Sequence, residues 1–136
     1  MTHKHITPIA LLALLTMVSA CKESTDERFA REAREATQKD CPVDIDRYTT
    51  LDSICYDQTH KEYSYHFTVK NELDLDSLYT DDVVKDLRET YLKDIKNSLQ
   101  MKDLKDAGVT IMHIYRSQQT GDTLMEFRFT RDDYAF

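Results

Sequence analysis

The stretch from Glu62 to Val69 reads EYSYHFTV, and every second residue in it is large and apolar. Tyr63, Tyr65, Phe67 and Val69 fall on one side of an extended chain, and Glu62, Ser64, His66 and Thr68 on the other. A strand of this kind needs a core against one face and water against the other, as in an antiparallel sheet. This rules out an all-helical fold and predicts a sheet covered on one side.

Neighbouring segments supply the rest of that sheet. YTTLDSICYD predicts a strand over about residues 48–56, followed by a polar turn from Asp57 to Lys61 that lacks glycine. VTIMHIYR predicts a third strand over 109–116. TLMEFRFT predicts a fourth over 123–130, with Met125, Phe127 and Phe129 inward and Gly121 in the connecting loop. Between the two pairs, Leu73, Leu75 and Leu78 mark a connector, and Thr80 begins a helix whose first turn holds Asp81 and Asp82. Its apolar stripe runs Val84, Leu87, Tyr91, Ile95, Leu99 and ends near Gln100. A short turn from Asp103 to Ala107 then stops at Gly108. The closing RDDYAF is expected to tuck in Tyr134 or Phe136.

Upstream, residues 22–40 carry a thin stripe of Phe29, Ala33 and Ala36, which predicts a polar helix acting as a tether. Pro42 separates this helix from the first strand segment. The expected fold is α+β: an N-terminal helix, then β-β-α-β-β, forming a four-stranded antiparallel sheet with one long helix packed on one face. The expected organisation is a signal segment over 1–20, a lipidated N-terminus and tether helix over 21–40, and a globular domain over 41–136.

The N-terminus carries the chain's address. Met1 to His5 are weakly positive, Ile6 to Met17 are mostly apolar, and Val18-Ser19-Ala20-Cys21 come next. The apolar run is too short for a bilayer span, which takes about 20 residues, and fits a secretory signal. Val18-Ser19-Ala20-Cys21 resembles the lipobox of bacterial lipoproteins, with valine in place of the commoner leucine. The resemblance covers residues 1 to about 25. It implies cleavage before Cys21, a diacylglyceryl group on its sulfur and a fatty acyl chain, of the palmitate kind, on its amino group. Each buried CH₂ contributes about 0.8 kcal/mol, so several acyl chains hold a protein firmly on a bilayer. The implied location is the cell envelope: Lys22 after the cysteine permits the outer membrane, with periplasmic and surface faces both open.

Cys41 and Cys55 remain, an even number in an oxidising compartment. Pairing them closes a loop of about 15 residues, worth about 3 kcal/mol in the chain-entropy model. The spacing matches neither a Cys-x-x-Cys redox site nor a four-ligand zinc site. A structural disulfide is the expectation.

The formal net charge of −7 disfavours nucleic acid as a partner. No Gly-x-Ser-x-Gly motif or glycine-rich phosphate loop occurs. Paired acids such as Asp81/Asp82 do not face each other on a helix. Asp74 and Asp76 lack the glycine and closing glutamate of a calcium loop. A metal composite of His66, Glu62 and His113 on the open sheet face is the strongest catalytic alternative, though neither a metal nor another cofactor is expected. His66, His113 and Tyr115 are the candidate partner face, because tyrosine anchors interfaces well. From Cys41 to Tyr134 the chain resembles small uncharacterised lipoproteins of Bacteroidota-type bacteria, through Cys41-Pro42, the Tyr63/Tyr65 alternation, DAGVTIMHIYR and FRFTRDDY. That resemblance implies no activity.

The resulting expectation is a non-enzymatic envelope lipoprotein. It meets the bilayer through Cys21 and serves as a binding or accessory module for an unidentified protein. An immunity-type inhibitor of a hydrolase or toxin is the alternative from another class, and a metal enzyme using His66 and His113 is a third.

Overall fold

A computed structural model describes residues 21–135. The segment expected to be a signal, including Val18-Ser19-Ala20, and Phe136 lie outside the described residues. The elements run α1 (Thr25–Asp40), β1 (Val43–Asp44), β2 (Thr49–Asp57), β3 (Glu62–Val69), two short 3₁₀ turns, α2 (Asp81–Asn97), α3 (Lys102–Asp106), β4 (Thr110–Ser117), β5 (Thr123–Phe129) and α4 (Arg131–Tyr134). Among the described residues no helix is long and apolar enough to cross a membrane.

The fold is α+β, but the sheet is not the expected four-stranded antiparallel one. It has five strands in the order β1-β2-β3-β4-β5, and β3 and β4 run parallel, with Tyr65 opposite His113 and Phe67 opposite Tyr115. Length explains the difference. Strand β3 spans about 26 Å at roughly 3.3 Å per residue, and α2, at about 1.5 Å per residue over 17 residues, travels the same distance back. The chain therefore re-enters the sheet at the end where β3 began, and β4 must run in the same direction. The extra strand, β1, pairs only Val43 with Leu51 and Asp44 with Thr50.

All the packing helices lie on the inner face. Helix α1 is held by a capping box between Ser24 and Glu27 and docks on β2. Phe29, 2% exposed, meets Tyr56 edge-on at 5.5 Å and joins Ala33, Tyr63, Leu104 and Val109 in one core cluster. The helix expected as a tether is thus part of the folded body. Its last turn is pinned to the sheet margin by Thr37, whose hydroxyl donates to the Ile54 carbonyl and accepts the Ile54 N–H, each at 2.8 Å. Its first turn lies beside the β2–β3 turn, where Tyr56 donates to Asp26 at 2.7 Å and Lys61 approaches Asp26 at 3.7 Å.

Helix α2 covers β5 and joins the second cluster, built on Val69, Ile95, Ile111, Tyr115, Met125, Phe127, Phe129 and Tyr134. It ends at Asn97, short of the expected Gln100, so Leu99, the last residue of the expected stripe, falls beyond the helix and is 87% exposed. Gly108 closes α3 at φ +69°, with the Arg131 guanidinium packed where a β-carbon would stand. Tyr134 donates to the Val109 carbonyl at 2.8 Å, which seals that end of the core.

Candidate functional site: an aromatic groove on the inner face

The parallel pairing brings aromatic residues side by side. Phe67 stacks on Tyr115 with centroids 4.6 Å apart, and Tyr91 from α2 lies parallel to Tyr115 at 6.1 Å. His113 stands edge-on to Tyr65 at 5.4 Å, Phe67 at 5.9 Å, Tyr91 at 5.4 Å and Phe129 at 5.9 Å. Tyr65, Phe67, Tyr91, His113 and Tyr115 floor a groove of about 440 Å³, whose sides are Ile45, Leu51 and Met101 with the polar Asp46 and Thr49. Ile45 on the rim is 58% exposed. Packed aromatic floors with offset and edge contacts are rigid and apolar, properties suited to seating an apolar segment.

The floor is not wholly apolar: it carries tyrosine hydroxyls and one imidazole. His113 Nδ1 is buried without a hydrogen-bond partner. Burial among rings, with no compensating acid, pushes His113 down from an ordinary 6.5 to about 4. At neutral pH it is an uncharged imidazole. Burial also raises the Tyr65 and Tyr115 hydroxyls, Tyr115 further through a hydrogen bond with Tyr91, so these rings stay neutral as well.

The outer face is separate. His66 lies opposite Ile114 and belongs to the wet side of the sheet, whereas His113 and Tyr115 belong to the packed side. The three residues expected to form one partner face are therefore divided between two faces, and Tyr115 is 7% exposed. The same division breaks up the composite of His66, Glu62 and His113. Among the described residues no three His, Cys, Asp or Glu side chains gather as a metal site. His66 Nδ1 sits 3.0 Å from an Arg116 guanidinium nitrogen, and its Nε2 sits 3.0 Å from Ser64 Oγ. Arginine can only donate, so Nδ1 accepts and Nε2–H donates to the serine. The pair is thus oriented opposite to a base that activates a hydroxyl. Burial and the Arg116 charge lower the His66 pKa.

Cys41 and Cys55 carry no disulfide and are free thiols. Cys55 pairs with Ser64 on the wet face and is exposed, while Ile54 and Tyr56 on either side of it turn toward α1. Cys41 caps the end of α1. Strand alternation thus aims Cys55 away from the face on which α1 packs.

These features define a small α+β domain with helices and an aromatic groove on one face of the sheet and a mixed, helix-free face on the other. The chain belongs to the family described as Domain of unknown function (DUF8479), whose model matches residues 24–125 and so includes both α1 and the groove. Two solved structures share the fold. A candidate secreted protein of Pseudomonas aeruginosa superposes with a TM-score of 0.64 at 9% identity, covering 83% of this chain and 99% of its own. The pilotin EpsS of the Vibrio vulnificus type 2 secretion system superposes with a TM-score of 0.60 at 10% identity, covering 82% of this chain and 92% of its own. No curated protein matches in sequence.

Sequence reasoning missed the groove because its walls join Ile45 and Leu51 to Met101, a residue from a distant part of the chain. The signal that could have found it is the in-phase aromatic pair Tyr65/Phe67 beside His113/Tyr115.

Proposed function

We propose that the protein is a lipid-anchored module of the cell envelope, attached through Cys21, whose aromatic groove binds an apolar segment of a partner protein without catalysing a reaction. The groove carries this reading: a rigid ring floor with an exposed isoleucine at its lip is a surface that water covers poorly. The lipobox-like sequence before Cys21 supports attachment. The shared fold supports an accessory role, since one neighbour is the pilotin of a secretion system and the other a candidate secreted protein.

The test uses the full chain expressed in its host. A photo-reactive residue at Ile45 is expected to yield a defined crosslinked adduct in membranes, and one at Thr50, on the wet face, none. Replacing Cys21 with Ser is expected to leave unprocessed precursor and to remove the protein from the acylated fraction. Equal crosslinking at both positions would sink the groove. A Cys21→Ser protein that still matures and fractionates with membranes would sink the anchor.

A further inference from the structure

The β3–α2 connector and the β4–β5 turn meet at the end of the sheet opposite the β2–β3 turn, and they enclose a second cavity of about 520 Å³. Its lining includes three carboxylates, Asp74, Asp76 and Asp122, and no lysine, arginine or histidine. Asp76 and Asp122 are exposed, as acids usually are. Asp74 is not: it is 6% exposed. Its Oδ2 accepts the Gln119 N–H at 3.0 Å, and among the described residues nothing donates to its Oδ1. A buried acceptor without a donor is costly, and more so when charged. An oxygen that is buried with no donor to meet it is the feature to explain.

We propose that this pocket receives a cationic side chain, the ammonium of a lysine or the guanidinium of an arginine, presented by a partner polypeptide. The cation donates to Asp74 and lies in the combined field of Asp76 and Asp122. Leu75 at the rim and Leu124 on the wall offer apolar surface to its aliphatic stem. A divalent cation fits less well, because it wants several oxygen ligands already gathered, and no three candidate side chains converge here among the described residues. This site is distinct from the aromatic groove, and the proposal stands whether or not the groove or the anchor does.

The test is an amide-resolved NMR titration of the ¹⁵N-labelled full chain in detergent micelles. The probe is N-acetyl-arginine amide, with N-acetyl-norleucine amide as its uncharged counterpart and calcium chloride as a separate arm. The arginine derivative is expected to shift the Leu75, Gln119 and Thr120 amides saturably, with a dissociation constant of about 1–20 mM. Asp74→Asn, which can keep the bond from Gln119, is expected to weaken it about tenfold. Should that variant fail to fold, the surface double variant Asp76→Asn/Asp122→Asn is expected to weaken it about threefold. The proposal is overturned by no saturable shift up to about 50 mM, by an equal response to the norleucine derivative, or by undiminished binding in the folded variants. Saturation by calcium without a response to arginine also overturns it, and assigns the pocket to a metal ion instead.

Discussion

Phe67 and Tyr115 face each other across the parallel β3–β4 ladder with ring planes 10° from parallel and centroids 4.6 Å apart. The pair exists only because β4 runs alongside β3 in the same direction, and it forms the centre of the groove floor. Phe67→Ala is expected to lower unfolding free energy by about 2–3 kcal/mol, less than a fully enclosed phenylalanine because one side faces the groove. The check is a urea midpoint, with Phe67→Leu recovering at least half of the loss.

Phe29 separates a docked helix from a tether. A residue on a solvated tether changes stability by about 0.5 kcal/mol or less when truncated. Buried against Tyr56 and Ala33, Phe29→Ala is expected to cost about 3–4 kcal/mol. Amide hydrogen exchange in α1 should accelerate along with it. Unchanged stability would mean that α1 is not held.

Thr37 satisfies both backbone groups of Ile54. Thr37→Ala leaves an N–H and a C=O at the sheet margin with only water to meet them, at a cost of about 1–2 kcal/mol. Thr37→Ser keeps the hydroxyl and is expected to restore most of it. A calorimetric comparison of the three proteins decides.

His113 gives the fold a pH signature. Its folded pKa of about 4 lies below the ordinary 6.5, so the unfolded chain binds the extra proton between those values. The contribution of His113 is therefore full above pH 6.5, is lost as pH drops toward 4 and levels off below, about 3 kcal/mol in all, while carboxylates held below their ordinary range, Asp44, Asp57 and Asp133 among them, carry the fall on at lower pH. Tyr65, Phe67, Tyr91 and Phe129, which surround the ring, bring no charge that offsets this. His113→Phe is expected to remove this part of the slope between pH 6.5 and 4 and to leave the parts carried by His66, whose pKa is also lowered, by His60, whose pKa is raised, and by Glu23 and Glu72, whose pKa values are lowered. Denaturant midpoints across that range provide the measurement.

The thiols should differ in reactivity. Cys55 is exposed, whereas burial and the nearby Asp40 and Asp52 charges raise the Cys41 pKa. Alkylation followed by peptide mass spectrometry is expected to label Cys55 several-fold faster. A native Cys41–Cys55 crosslink in the purified protein would contradict the free-thiol arrangement.

The limits of the sequence are visible in single residues. Tyr63, Tyr65, Phe67 and Val69 announced the packed face of β3 because their opposite neighbours are polar. In β4, both Ile111/His113/Tyr115 and Met112/Ile114 are largely apolar, so alternation alone could not say which side His113 faced. Strand direction was equally hidden, since side chains alternate in the same way in parallel and antiparallel pairs. Val43–Asp44 is too short to leave a pattern. The burial of Asp74 depends on Gln119, 45 residues away, and nothing periodic marks it.

Cys21 is joined to the first turn of α1 only through Lys22, Glu23 and Ser24, a leash of at most about 14 Å when fully extended. Because that turn is bound beside Asp26, Tyr56 and Lys61, a bilayer gripping Cys21 would draw the β2–β3 turn down to the headgroups and leave little room to tumble. The rim of the groove at Ile45 and Thr49, which pairs with Val69 at the opposite end of the sheet, and the Asp74 pocket beyond it would then both be held away from the headgroups. A partner could meet either of them from the aqueous side.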